Sequence, residues 1–261
     1  MSSRNPVLRK IDAPVVSDEE LARIVNGPSV AGQATLVDVI TKSAIVFSLV
    51  VIGAVYGWST SVSTSFTGEM TATNVGVIMG AMVVAIITGL INSFKKNVSP
   101  ALVLVYGGAE GVLLGGMSHW IDLSYGPGIA QQAVIATLVV FTVMLGLYKS
   151  RIIKVNGKFM KMFTVAIVSY FVIAIGSLIS SLFGVGQGWG FYGVQGIGLL
   201  LCVFGVGLAA FSLVVDFEVT TQAVASGVPE REAWRLAFGL IVSLVWLYTE
   251  ILRLLAILNR D

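Results

Sequence analysis

The sequence predicts an all-α integral membrane protein with seven membrane-crossing helices. Three observations predict it. Apolar residues make up 56% of the 261 residues and charged residues only 11%, where a soluble domain carries about 25% charged. The mean hydropathy is +0.91. Seven apolar stretches, roughly 42–60, 74–94, 100–121, 129–148, 160–183, 193–215 and 236–258, each reach the ~20 residues that a helix needs to span a bilayer. Finally, Lys and Arg alternate from loop to loop, as they do when successive loops lie on opposite sides of a membrane.

Residues 1–35 read as a polar cytoplasmic N-terminal segment with prolines at Pro6, Pro14 and Pro28. Within it Ser17-Asp18-Glu19-Glu20 has the form of a capping box, with Ser17 as N-cap and Glu20 three residues on. Leu21, Ile24 and Val25 follow on one face and Asn26-Gly27 stops the turn, so a short helix is expected there. Residues 36–261 form the seven-helix membrane domain. The first apolar run lacks a cleavage pattern and is expected to stay as an anchor. No alternation of period two is present, which argues against a β-barrel.

The basic residues set the orientation. The N-terminal segment carries Arg4, Arg9, Lys10, Arg23 and Lys42. The second loop has Lys95 and Lys96, the fourth Lys149, Arg151, Lys154, Lys158 and Lys161, and the sixth Arg231 and Arg235. The first, third and fifth loops have none. The positive-inside rule then places the N-terminus and even loops in the cytoplasm and the C-terminus outside. Only Arg260 lies against it.

Three acids fall within or at the edge of the spans. Glu250 lies inside the seventh, where a carboxylate costs roughly 2.5 kcal/mol or more at the helix centre. Glu110 lies near the middle of the third, and Asp216 ends the sixth on the cytoplasmic side. Arg253 follows Glu250 by three residues and shares its helix face, as a pairing partner would. Gly107, Gly111 and Gly115 repeat every four residues beside Glu110, and the pairs Gly53 with Gly57 and Gly76 with Gly80 share that interval. Small residues at this spacing let helix backbones approach closely.

Other chemistries lack their residues. His119 is the single histidine, which leaves a zinc site without its ligand set. The seventh helix has no lysine for a Schiff base, and no phosphate-binding loop is present. Cys202 is the single cysteine, so no intrachain disulfide is possible. The chain is therefore expected not to be an enzyme and to carry no resident cofactor. Its expected partners are the lipid bilayer and other membrane proteins, with no nucleic acid.

The ending Ala237-Phe238-Gly239-Leu240, then Leu244-Val245-Trp246-Leu247-Tyr248-Thr249-Glu250-Ile251-Leu252-Arg253-Leu254-Leu255, resembles the last helix of the Bax inhibitor-1 / YccA-like family, the transmembrane Bax inhibitor motif proteins. Val214-Val215-Asp216-Phe217 resembles the acidic end of that family's sixth helix. Tyr106-Gly107-Gly108-Ala109-Glu110-Gly111 and the opening Asn5-Pro6-Val7 look like a bacterial branch of it. The resemblance implies six helices surrounding a central seventh, in a bacterial inner membrane. It also implies a proton-sensitive calcium leak, gated by a carboxylate pair between helices six and seven. Carried over by motif, that pair is Asp216 and Glu250, the tentative calcium ligands. The seventh-helix acid is Glu where the family usually has Asp, and the second helix holds no basic residue.

The expected function is thus a pH-sensitive cation leak or transport pathway with Asp216, Glu250 and Glu110 along it. Two neighbouring carboxylates in low dielectric would share a proton and titrate as a unit. When charged they suit a hard, oxygen-seeking cation such as calcium. The alternative is a non-transporting regulator that binds a membrane protease or another membrane partner. In that case the N-terminal segment and the basic fourth loop would be contact surfaces.

Overall fold

The computed structural model describes residues 32–64, 70–72, 75–95, 97–194 and 196–260. The helix expected around Ser17–Val25 lies outside the described residues. The chain forms α1 (Leu36–Ser61), a short antiparallel ladder of β1 (Val62–Thr64) and β2 (Met70–Ala72), α2 (Val75–Phe94), α3 (Pro100–Tyr125), α4 (Ile129–Lys149), α5 (Gly157–Leu182), α6 (Ile197–Ala225) and α7 (Ala233–Leu258). Two 3-10 turns, Val185–Gly188 and Gly190–Gly193, fold the α5–α6 connection back over the bundle. All seven helices are long and apolar enough to cross a membrane.

Local signals account for the helix ends. Thr35 caps α1: its Oγ1 accepts from the Asp38 backbone N–H (3.1 Å), and Asp38 Oδ2 accepts from the Thr35 N–H (2.9 Å). That reciprocal pair is a capping box with Asp in the third position. It starts the helix at Leu36 rather than near residue 42, ahead of Lys42, which pairs with Glu230 at 3.2 Å. Asn156 caps α5 by accepting from the Phe159 N–H at 2.8 Å. Asp122, on the last turn of α3, accepts from the Gly128 and Ala130 N–H groups and so caps α4.

The sixth helix departs from expectation. It was expected to stop at residue 215, with Asp216 at its end. Instead it continues through Ala225, so Asp216 lies nine residues inside it. The extension is possible because Glu218 is satisfied within the bundle: Tyr148 Oη donates to its Oε2 (3.0 Å) and Gln222 Nε2 to its Oε1 (2.7 Å). The helix ends where Gly227 takes a left-handed φ of 69°.

Glycine spacing decides how closely α1 and α3 pack. A Cβ on Gly111 would strike the Val50 carbonyl, one on Gly115 the Ala54 carbonyl, and one on Gly57 the Val112 carbonyl. The two backbones therefore touch along the stripe, as small residues permit in a membrane where burial against lipid supplies little drive. Gly76 and Gly80 have nothing within 4 Å of an added Cβ, so their shared spacing does not mediate packing. The seventh helix packs against α1, α3, α4 and α6, with α2 and α5 flanking the bundle. Leu213, Val214, Leu247, Leu252 and Ala256 are fully buried where α6 meets α7.

Candidate functional site

The α6–α7 contact holds two acids at different levels. These helices run antiparallel, so each step toward the start of one is a step toward the end of the other. Glu250 lies opposite Gly205, where an added Cβ would strike both Glu250 Oε2 and Tyr170 Oη. Asp216 lies opposite Gly239 and Ser243: its Oδ1 is 3.8 Å from the position of a Gly239 Cβ, and the Ser243 hydroxyl faces its carboxyl group. Gly239 precedes Glu250 by eleven residues, and Gly205 precedes Asp216 by the same number. At 1.5 Å per residue the two levels are about 16 Å apart. The shared Asp216–Glu250 pair is therefore not assembled. The reason is the long sixth helix, whose antiparallel register carries Asp216 about three turns away from Glu250.

Glu250 is 2% exposed and closely held. Arg253 Nη1 donates to its Oε1 at 3.2 Å and to its Oε2 at 3.1 Å. Trp246 Nε1 donates to Oε1 at 3.0 Å, one turn earlier on the same helix. Tyr170, on α5, brings its hydroxyl to the same carboxylate. Tyr192 Oη in turn donates to Tyr170 Oη at 3.0 Å. The Arg253 guanidinium lies over the Tyr192 ring, 4.5 Å from its centre. This charge is thus neutralised, hydrogen-bonded and walled by aromatic rings, as a carboxylate in a low-dielectric bundle must be. The Arg253 pairing expected from the three-residue spacing is present.

Asp216 is held differently. Its Oδ2 is buried with no hydrogen-bond partner among the described residues. Among the described residues no ion pair reaches it, and Ser243 is its polar neighbour across the contact. The Ser43 hydroxyl and both amide atoms of Asn92 are also buried without partners. Ser43 is near the start of α1 and Asn92 near the end of α2, so all three lie in the half of the bundle that carries the basic loops. Buried polar atoms are ordinarily satisfied, and such exceptions mark places that water or an ion would complete.

Glu110 is half-buried on α3, one turn after Tyr106, and makes no hydrogen bond or ion pair among the described residues. Tyr106 packs edge-on against Phe238 of α7, with ring centres 5.1 Å apart. His119 stacks on Trp58 at 4.6 Å, with its Nδ1 2.7 Å from Ser61 Oγ, and is a packed ring rather than a ligand. Among the described residues no group of three or more His, Cys, Asp and Glu side chains could hold a metal.

Residue reading missed Tyr170, Tyr192, Gly205 and Ser243, because all come from neighbouring elements. Trp246 could have been found: it precedes Glu250 by four residues, the helical spacing at which an indole N–H reaches a carboxylate. Glu218 lies beyond residue 215, the expected end of the sixth span, and inside the observed helix.

No curated protein matches the chain. The family described as Bax inhibitor 1 like matches residues 5–260, nearly the whole length. The seven-helix architecture agrees with that match, and this multi-pass membrane protein belongs to the Bax inhibitor 1 like family.

Proposed function

We propose that this chain is a pH-sensitive cation leak or transport protein rather than an enzyme, with Asp216 as the ion-binding carboxylate. The observation that carries this reading is the buried, unpartnered Asp216 Oδ2 inside a membrane-crossing bundle. A carboxylate left without a cation is expensive there, and natural chains place such groups on ion and proton paths. Ser43 and Asn92 add unsatisfied polar atoms in the same half of the bundle, the basic one, which the positive-inside rule assigns to the cytoplasm. Glu110 supplies a further oxygen without a paired cation. The Glu250–Arg253 pair lies nearer the opposite end, and a neutral, hydrogen-bonded pair closes that end of the path instead of binding an ion. Calcium is the first cation to test, since hard oxygen donors suit it. Protonation of Asp216 removes the local negative charge, so flux falls as that group is protonated.

The test is cation flux into liposomes holding the purified chain, measured across a pH series. Asp216→Asn is expected to abolish most of the flux and flatten its pH profile, and Glu250→Gln to increase basal flux by loosening the outer closure. No flux from the unaltered protein, for calcium or for monovalent cations, would refute transport. It would favour the non-transporting regulator of a membrane partner, proposed for the bacterial inner membrane.

A further inference from the structure

The basic end of the bundle holds a cavity of about 330 Å³, remote from Glu250. The start of α1 and the end of α4 frame it, and α6 forms its floor. Its lining combines two chemistries: apolar side chains that include Leu36, Ile40 and Leu145, and the basic side chains of Lys149, Arg151 and Lys154. The apolar wall continues onto the outer surface, where Val37 is 67% and Ile40 66% exposed on α1. These side chains lie on a helix that crosses the membrane, so the cavity opens toward lipid and not only toward water.

Glu218 is the one acid among the described lining residues, and it is turned inward. It is 8% exposed, and its two oxygens accept from Tyr148 Oη and Gln222 Nε2. Tyr148 Oη also lies 2.9 Å from Thr221 Oγ1. That network orients the carboxylate, and with one acid against Lys149, Arg151 and Lys154 the lining carries more cations than anions. Arg151 has a φ of 56°, the only left-handed non-glycine among the described residues. Such a conformation costs an arginine energy and persists where the surroundings over-determine it. Here it turns the chain sharply after α4, so that Lys149 and Lys154 reach one cavity.

We propose that this cavity is a binding site for an anionic phospholipid. The phosphate sits among Lys149, Arg151 and Lys154, and one acyl chain leaves along Leu36, Ile40 and Leu145. Charge complementarity and the apolar exit together select this occupant. A free phosphate gains nothing from the aliphatic wall, and a zwitterionic lipid sets its own cation against the three of the protein. Basic pockets at the membrane edge of a helix bundle recognise lipid headgroups by this combination. The site lies beside the Asp216 half of α6, through Phe217 and Glu218, but its existence does not depend on transport.

The test is lipid retention by the full chain, purified in a mild detergent, with phosphatidylglycerol or phosphatidylcholine added, read by native mass spectrometry and by thermal melting. The unaltered protein is expected to retain phosphatidylglycerol at least five-fold better than phosphatidylcholine and to melt higher in its presence. Lys149→Gln with Lys154→Gln should remove that preference, and the remaining loop cations Arg151, Lys158 and Lys161 preserve the topology signal. Leu145→Trp, which fills the apolar side and keeps every charge, should weaken retention of the same lipid. Equal retention of both lipids by the unaltered protein would overturn the proposal. So would an unchanged preference in both variants, or a rise in melting temperature with inorganic phosphate that equals the rise with lipid.

Discussion

Two carboxylates face the same helix contact about 16 Å apart, and their surroundings are opposite. Glu250 has an arginine, an indole N–H and a phenol around it. Asp216 has a serine and a buried oxygen with no partner. Both acids resemble the motif of one family site, yet the structure gives them different surroundings. The Glu250–Arg253 ion pair lies within α7 and meets α5 through the Tyr170 hydroxyl, and it binds no ion cheaply, because a new cation would have to displace Arg253. An unsatisfied carboxylate destabilises the bundle and is available to a cation or a proton. The difference teaches that burial alone does not mark a functional acid; what neutralises it does.

Several substitutions would break or sharpen this contrast. The largest effect is expected from Glu250→Ala, which leaves the Arg253 charge without its partner. Loss of one member of a buried pair costs about 3–5 kcal/mol, and thermal melting in detergent should show it as a large drop. Arg253 is partly exposed, at 30% of its side chain, which places the expected value at the lower end. A melting temperature unchanged by Glu250→Ala would mean that the pair does not hold the bundle.

Next comes Gly205→Ala. The added methyl meets Tyr170 Oη and Glu250 Oε2, both restrained by their own partners. Overpacking of this kind costs about 1–3 kcal/mol. The same change at Gly207, where an added Cβ meets nothing within 4 Å, should leave stability unchanged or raise it by up to about 1 kcal/mol. Equal losses at both positions would show that the close approach at Gly205 is not what matters.

Tyr192→Leu removes the ring beneath Arg253 and is expected to cost about 0.5–2 kcal/mol. Tyr192→Phe keeps the ring and loses only the bond to Tyr170, so it should cost less. The smallest effect on stability belongs to Asp216→Asn. Neutralising a carboxylate that lacks a cation partner should leave stability within about 1 kcal/mol of the starting protein, or raise it, while cation flux falls. A strongly destabilised Asp216→Asn protein would place Asp216 in the same structural class as Glu250 and remove the contrast.

Much of this was legible in the chain. Seven apolar stretches, the alternation of loop charges and the four-residue glycine stripe are local properties, and each predicts its element without reference to the rest. The Glu250–Arg253 pair was legible for the same reason, since three residues of helix bring the groups to one face. The ends of α1 and α6 were not. Lys42 and Asp216 look like membrane borders in sequence, but Glu230 pairs with Lys42, Asp216 is half-buried with its Oδ2 covered, and Glu218 is buried among the packed helices.

Fold class and the identity of the acids were thus determined by the sequence alone, because hydropathy, charge placement and helical spacing act over one element at a time. Only the tertiary structure decided which acid meets which partner. Tyr170, Tyr192 and Gly205 reach Glu250 from α5, a 3-10 turn and α6, and no spacing along the chain encodes that meeting. The separation of Asp216 from Glu250 follows from the register of two antiparallel helices. That register is set by side-chain packing over their whole contact, and it exists only once the bundle has closed.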